Sequence, residues 1–179
     1  MELKKPIFVV LGTIQGCIYG GPFRQHESTR RLFSINMAKE ISNPADFHIP
    51  TEDYSVPSVE DMQEGIVAAL RALKEGNDIY VGCMGGIGRT GLFMGCFAKV
   101  MQDCAAAGLV PCLDPGDPVL WVREKYKSHA IETTEQEEFV RGFPTDVVVA
   151  QLEEMLYVPQ PPKTAGEAFL LWIKLLLDK

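Results

Sequence analysis

Residues 78–91 read DIYVGCMGGIGRTG and combine three local structures in immediate succession. The apolar run from Asp78 to Cys83 is typical of a short strand, the glycines after it favour a tight turn, and a helix is predicted from about Arg89 to Ala107. A loop that joins a strand to a helix N-terminus presents backbone N–H groups to an anion. The stretch therefore predicts an anion-binding loop within an α/β fold.

Other segments extend this pattern along the chain. Strands are predicted over residues 6–11, 31–36 and 46–49, whereas residues 12–23 are predicted to form an irregular, glycine-rich connection. Helices are predicted over residues 59–75, 117–126, 133–141 and 146–157. We expect one domain over residues 1–158, with a central, mostly parallel sheet of four to five strands flanked by helices on both faces.

Residues 159–179 form a separate segment in this prediction. A proline-rich spacer, Pro159 to Lys163, precedes an apolar C-terminal helix that begins at Thr164. We expect this helix to pack on the domain itself, because large exposed apolar patches are rare. Packing on a second copy of the chain, which would make a homodimer, is the alternative.

Composition narrows the functional class. The chain has 179 residues, 46% apolar and 23% charged, with a net charge of −7. These values are typical of a folded domain and argue against general nucleic-acid binding. No apolar run is long enough to span a bilayer and no signal peptide is evident, so a cytoplasmic location is expected.

The cysteines favour neither a disulfide framework nor a zinc site. Their number is odd and no CxxC pair occurs. We interpret Cys96, Cys104 and Cys112 as packing residues of the core. The role of Cys17 stays undecided. Cys83 is the candidate for chemistry. No metal or cofactor is expected.

The loop carries the groups that nucleophilic catalysis on an oxyanion needs. Cys83 is placed to react as a thiolate, since inward-pointing N–H groups at a helix N-terminus stabilise negative charge. Arg89 can hold two oxygens with its planar fork, and Thr90 can hydrogen-bond to the sulfur. The predicted oxyanion loop comprises Met84, Gly85, Gly86, Ile87, Gly88 and Arg89.

Two alternatives fit part of the same stretch. The run from Gly86 to Gly91 also spells GxGxxG, and Asp114 follows about 20 residues later, as in a dinucleotide-binding turn. A glycine turn beside a buried cysteine would have no catalytic role. The dinucleotide alternative leaves Cys83 and Arg89 unexplained.

The run from Cys83 to Thr90 resembles the CxxGxxR[ST] signature of cysteine-dependent protein tyrosine phosphatases. It is most similar to the compact dual-specificity branch, to which kinase-associated phosphatase belongs, and Cys83, Gly86, Arg89 and Thr90 all match. The resemblance implies hydrolysis of a phosphomonoester through a phosphocysteine intermediate. One position departs from it, because the family usually has histidine before the cysteine and this chain has Gly82.

The resemblance also implies two further catalytic residues. In the family, an aspartate on a loop at this distance before the cysteine protonates the leaving oxygen, and Asp53 occupies that place, with Glu52 as the neighbouring alternative. A glutamine near the start of a later helix helps to position the attacking water, and Gln136 matches it.

The expected partner is a phosphorylated protein or peptide, for which tyrosine and dual specificity both stay open. Two alternatives remain: a catalytically weak pseudophosphatase that binds phosphorylated partners, and the same chemistry on an RNA 5′ end or a phosphoinositide. A basic cluster, Arg123, Lys125, Lys127 and His129, could steer an anionic substrate.

Overall fold

The structure is a computed structural model that describes residues 6–25, 32–109, 111 and 114–157. The predicted proline-rich spacer and C-terminal helix, together with Cys112, lie outside these residues. No helix in the described ranges is long and apolar enough to cross a membrane.

In the described part of the chain, five strands form one sheet, and four of them are consecutive parallel neighbours. The sheet order is β1-β2-β5-β3-β4, and the β1–β2 pair is antiparallel. The strands are β1 Ile7–Leu11, β2 Ile14–Pro22, β3 Leu32–Ala38, β4 Phe47–Thr51 and β5 Asp78–Cys83. Residues 79–83 of the central strand are all buried, so both faces of the sheet are covered. The predicted α/β architecture is confirmed.

Among the described residues, five helices flank this sheet, and several of them begin or end at a capping residue. They are α1 Val59–Lys74, α2 Gly88–Ala107, α3 Pro118–Lys125, α4 Thr134–Gly142 and α5 Asp146–Leu156. The side chain of Ser58 accepts a hydrogen bond from Asp61 N, and that of Asp117 accepts from Val119 N and Leu120 N. Gly108 ends α2 with a left-handed φ of 62°.

The irregular connection predicted for residues 12–23 is wrong, because most of it is strand β2. Glycine is depleted in strands, and the three glycines of β2 therefore argued against a strand in the sequence analysis. Their neighbours explain them. A Cβ at Gly20 would lie 2.6 Å from Cε of Met94, and one at Gly21 would lie 2.6 Å from Oη of Tyr80. Glycine is therefore favoured in this strand where large side chains cross its surface.

Strand β4 also continues past the predicted stop at Pro50. Proline lacks a backbone N–H, but β4 is an edge strand and tolerates it. The strand ends instead at Thr51, whose carbonyl oxygen belongs to the site described next.

Candidate active site

Cys83 is the last residue of the central strand β5, and it is 3% exposed. Thr90, in the first turn of α2, donates a hydrogen bond from Oγ1 to Sγ of Cys83 over 3.3 Å. The strand and the helix N-terminus thus hold the sulfur at the positive end of the helix dipole. A hydroxyl donor at this distance stabilises negative charge on the sulfur.

Residues 83–89, named the phosphate loop below after the role that the sequence predicts for them, pack directly against strand β2. Gly86 adopts a left-handed φ of 63°, and a Cβ there would collide with the backbone of Gly21 and Pro22. A Cβ at Gly82 would lie 2.8 Å from Cα of Phe23. Backbone cannot yield as a side-chain end can, so both positions require glycine. This contact explains why Gly82 stands before the cysteine.

Arg89 is almost completely buried, at 1% exposure, and its guanidinium reaches three partners. Its Nη1 donates to Glu40 Oε2 and to the Thr51 carbonyl oxygen, each over 2.8 Å. Its Nη2 donates to Glu40 Oε1 over 2.7 Å and lies 3.0 Å from Asp53 Oδ1. Glu40 therefore fixes the guanidinium plane by bidentate pairing.

The remaining donor of this guanidinium, Nε, has no hydrogen-bond partner. Among the described residues it is the one buried side-chain nitrogen or oxygen without a partner. Such an atom costs free energy unless a ligand satisfies it. Because Arg89 is the last residue of the phosphate loop and Glu40 occupies the far edge of its guanidinium, Nε is available for an anion in that loop.

Asp53 and Glu52 separate clearly in the structure. The Asp53 carboxylate touches Nη2 of Arg89, whereas the Glu52 carboxylate pairs with Lys39 over 2.8 Å. The side chain of Asp53 is 61% exposed, so it is free to turn toward a bound ligand. Of the two carboxylates that the sequence offered, Asp53 is the one that lies at Arg89.

Gln136 is fully buried and connects two loops. Its Oε1 accepts a hydrogen bond from Glu132 N over 2.9 Å, and its Nε2 donates to the Ser55 carbonyl oxygen over 3.1 Å. A Cβ on Gly88 would lie 3.3 Å from this Oε1, so the amide also reaches the phosphate loop. Gln136 thus joins the segment after Asp53 to the segment before α4 and lies beside the loop that carries Cys83.

Sequence reasoning missed Glu40, the residue that holds Arg89 most firmly. It follows strand β3 in a turn and is 49 residues from Arg89 in sequence, so no local motif signals the pair. Hydrogen bonding from Arg89 lowers the pKa of Glu40 to about 2. The only available signal was an acidic residue beyond a predicted strand, at the edge of the sheet where β5 also ends.

Glu40→Gln should lower the free energy of unfolding by an amount that depends on pH. Because the pKa of Glu40 falls from 4.5 to about 2 on folding, its stabilising effect is complete above 4.5 and disappears as pH falls toward 2. The difference in free energy of unfolding between wild type and variant should therefore be constant near neutrality and narrow below pH 4.5. Denaturant unfolding at several pH values measures it, and a difference that ignores pH would contradict this assignment.

For the phosphomonoester hydrolysis that the resemblance implies, the same variant should also lower the rate by about 10- to 100-fold, since Arg89 would lose its fixed orientation. Glu60→Gln on α1 makes the same chemical change in an exposed carboxylate away from Arg89, so it serves as the control. We expect its rate to match that of the wild type.

Comparison with known proteins places these residues in a family. Residues 25–140 match the family described as "PTP-SAK: Swiss Army Knife protein, DSP-PTPase phosphatase domain". The chain belongs to this family. It is a compact dual-specificity phosphatase domain of the cysteine-dependent protein tyrosine phosphatase superfamily. The resemblance read from residues 83–90 is confirmed at this level.

Curated relatives carry no described activity. Two uncharacterized proteins of Methanocaldococcus jannaschii, MJECL20 and MJ0215, are each 36% identical to this chain, over 96 and 93 residues. The matches cover 54% and 52% of this chain, and 57% and 51% of those proteins. The chain therefore spans little more than half the length of the curated relatives it matches.

Solved structures share the fold. The active form of Tk-PTP is 24% identical with a TM-score of 0.51, and the alignment covers 80% of this chain and 96% of that one. Kinase-associated phosphatase with its catalytic cysteine replaced by serine is 16% identical with a TM-score of 0.53, covering 83% and 99%. PTPMT1 in complex with PI(5)P is 14% identical with a TM-score of 0.54, covering 74% and 93%.

Membership of the dual-specificity phosphatase family argues against the dinucleotide-binding alternative, and the topology of the described residues also differs from a dinucleotide-binding fold. After β5 and α2, the described part of the chain continues through α3, α4 and α5 without the further strand that a dinucleotide fold requires. In the same described part, no three His, Cys, Asp or Glu side chains are grouped as a metal site would need.

Proposed function

We propose that this phosphatase domain hydrolyses phosphomonoesters of proteins through a phosphocysteine intermediate. The observation that carries the proposal is the unpartnered Nε of buried Arg89, which follows a glycine loop that begins at a nucleophilic residue. A phosphoryl oxygen would satisfy that donor, while the N–H groups of residues 84–88 would take the others.

The first step transfers the phosphoryl group to sulfur. The thiolate of Cys83 attacks phosphorus, an S–P bond forms, and the P–O bond to the leaving group breaks. Asp53 gives its proton to the leaving oxygen, for which it must turn away from Nη2 of Arg89. That turn frees Nη2, so that Nε and Nη2 together hold two phosphoryl oxygens.

The second step hydrolyses the phosphocysteine. Asp53, now ionised, takes a proton from water as the water oxygen bonds to phosphorus and the S–P bond breaks. Thr90 stabilises the departing thiolate through its hydrogen bond to Sγ. Gln136 would help to position the attacking water, since it lies buried between Ser55 and Glu132 and close to Gly88.

Charge around the loop favours a substrate with a single phosphate. Residues 84–88 include no basic side chain, the Lys127 ammonium already binds the Gly86 carbonyl oxygen, and two carboxylates, those of Glu40 and Asp53, face the guanidinium of Arg89. A polyphosphorylated headgroup would need further cations there. Phosphotyrosine, phosphoserine and phosphothreonine each bring one phosphate, and this supports a protein substrate over a phosphoinositide.

The direct test is an assay with an aryl phosphate and with singly phosphorylated peptides, in the presence and absence of a chelator. We expect turnover that the chelator does not change, and acid quenching followed by mass spectrometry should find phosphate on Cys83. Phosphopeptide binding without any turnover would instead favour a pseudophosphatase. Turnover confined to phosphoinositides would overturn the protein substrate.

Asp53→Asn should slow hydrolysis according to the leaving group. A phosphoserine peptide leaves as a strongly basic alkoxide, so we expect its rate to fall by about 100- to 10,000-fold, because a positioned acid contributes that much. An activated aryl phosphate, whose leaving group needs no proton, should lose far less. Rates measured with both substrates give the comparison.

Glu52→Gln is the matched control, since it changes the next residue and the same kind of group. Glu52 pairs with Lys39 instead of Arg89, so we expect no dependence on the leaving group. An equal fall for both substrates in Asp53→Asn would remove Asp53 from the acid role.

A further inference from the structure

The carbonyl oxygen of Gly86, in the middle of the phosphate loop, accepts two side-chain hydrogen bonds. Oη of Tyr126 donates to it over 2.6 Å, and Nζ of Lys127 donates to it as well. Both donors come from the connection between α3 and α4, about 40 residues further along the chain. One of them carries a full positive charge. Both acceptor sites of this carbonyl are therefore used, which ordinary loop carbonyls do not require.

The two donors are held as a unit. The ring of Tyr126 lies over Gly20 of β2, where a Cβ would come within 2.8 Å of Cζ. Burial raises the pKa of Tyr126, so its hydroxyl keeps its proton for donation at physiological pH. The Lys127 ammonium lies 5.0 Å from the centroid of the Tyr126 ring, a distance at which cation–π attraction applies. The glycine of the strand thus makes room for the group that fixes the loop.

The peptide group that accepts these two hydrogen bonds joins Gly86 to Ile87, where α2 begins and an anion would bind. The Gly86 carbonyl and the Ile87 N–H belong to one trans peptide, so they point in opposite directions. Ile87 is the N-cap residue of α2, and the amides at a helix start have no acceptor within the helix. A cation on the carbonyl oxygen polarises the peptide and makes its N–H a stronger donor.

Strand β5 supplies no side chain for this purpose. Position 82 must be glycine because backbone atoms of Phe23 occupy the space beside it. Tyr80, two residues earlier, donates its hydroxyl to the Pro22 carbonyl over 3.0 Å. Support for the Gly86 carbonyl comes from Tyr126 and Lys127 instead.

We propose that Lys127 is a positioning residue of the phosphate loop, acting with Tyr126 through the Gly86–Ile87 peptide. It fixes this peptide with its carbonyl toward the α3–α4 connection and strengthens the Ile87 N–H as a donor to the bound oxyanion. The inference rests on the proposed phosphatase function, because it assigns Lys127 to the affinity of the same loop. Lys127 contacts no substrate atom in this arrangement.

The first test compares vanadate inhibition of aryl phosphate hydrolysis. Lys127→Met keeps the length of the side chain and removes its charge, and we expect the inhibition constant to rise roughly 10-fold, the effect of losing one charge-assisted hydrogen bond. Tyr126→Phe should raise it less, and Lys127→Arg should restore most of the affinity. Thermal unfolding of each variant establishes that it is folded.

Lys125→Met is the matched control. It removes the same charge two residues earlier, where Nζ pairs with the exposed carboxylate of Glu124. We expect its inhibition constant to stay within about twofold of wild type, as for a surface ion pair. Equal effects of Lys127→Met and Lys125→Met would overturn the proposal, because only the general field of the surface would then be acting.

The second test needs no catalysis. In the ligand-free protein labelled with nitrogen-15, the amide proton of Ile87 should move upfield in Lys127→Met, and by much less in Lys125→Met. An unchanged Ile87 resonance in a folded Lys127→Met protein would overturn the inference. If wild type neither hydrolyses phosphate esters nor binds vanadate, the proposed function fails, whereas the resonance still reports whether Lys127 polarises the loop.

Discussion

Cys83→Ser is expected to lower the aryl phosphatase rate by at least about 1,000-fold, because an un-ionised hydroxyl replaces the only nucleophile in the loop. Among the described residues, the one side-chain hydrogen-bond partner of Sγ is Thr90, which donates to the sulfur and cannot act as a base for serine. Steady-state rates and acid-quenched samples check this result. No phosphoenzyme should accumulate in the variant.

Cys17→Ser provides the control for this prediction. Cys17 is half-buried on β2, five residues before Pro22, which pairs with Cys83 in the sheet. That spacing puts the two residues roughly 16 Å apart along the strands, too far for Cys17 to serve as a resolving thiol. We expect its rate to equal that of wild type. Sustained hydrolysis by Cys83→Ser would refute the phosphocysteine route.

Arg89→Lys should cost about 100- to 1,000-fold in kcat/KM, although the positive charge is kept. Lysine has no planar fork, so it cannot hold Glu40 on one edge and two phosphoryl oxygens on the other. Oxyanion affinity should fall with the rate, since the same two donors serve the ground state and the transition state. Vanadate titration and initial rates measure both quantities.

Arg71→Lys makes the same substitution at an exposed site on α1, where the side chain bonds to Gln151. We expect neither its rate nor its vanadate affinity to change. If Arg89→Lys also kept both, the guanidinium would have no part in binding the phosphoryl group.

Local signals were enough to predict most of the fold. Helix α1 begins at the Ser58 cap and α2 ends at Gly108, as the sequence indicates, because caps and apolar periodicity act within a few residues. Strand β2 was not predicted, because its glycines make room for the side chains of Met94 and Tyr80, which are distant in sequence. Glycine has a low strand propensity, so the sequence argued against a strand, but tertiary contacts determine the structure at these positions.

The candidate site divides in the same way. Cys83, Arg89 and Thr90 lie within eight consecutive residues, so the sequence could propose them together as one candidate site. Glu40 and Lys127 reach the loop from distant turns, and nothing near them in sequence distinguishes them from other surface charges. Only the folded chain shows that one orients the guanidinium and the other holds a loop carbonyl.

The contact between Asp53 and Arg89 bears on product inhibition. In the proposed mechanism, inorganic phosphate leaves as the second product, and it would compete with the Asp53 carboxylate for Nη2 whenever that carboxylate lies at Arg89. The return of the carboxylate to Arg89 would then help to expel the product and would keep the empty loop from filling with ambient phosphate. A substrate would overcome the same competition, because its leaving oxygen offers Asp53 another hydrogen-bond partner.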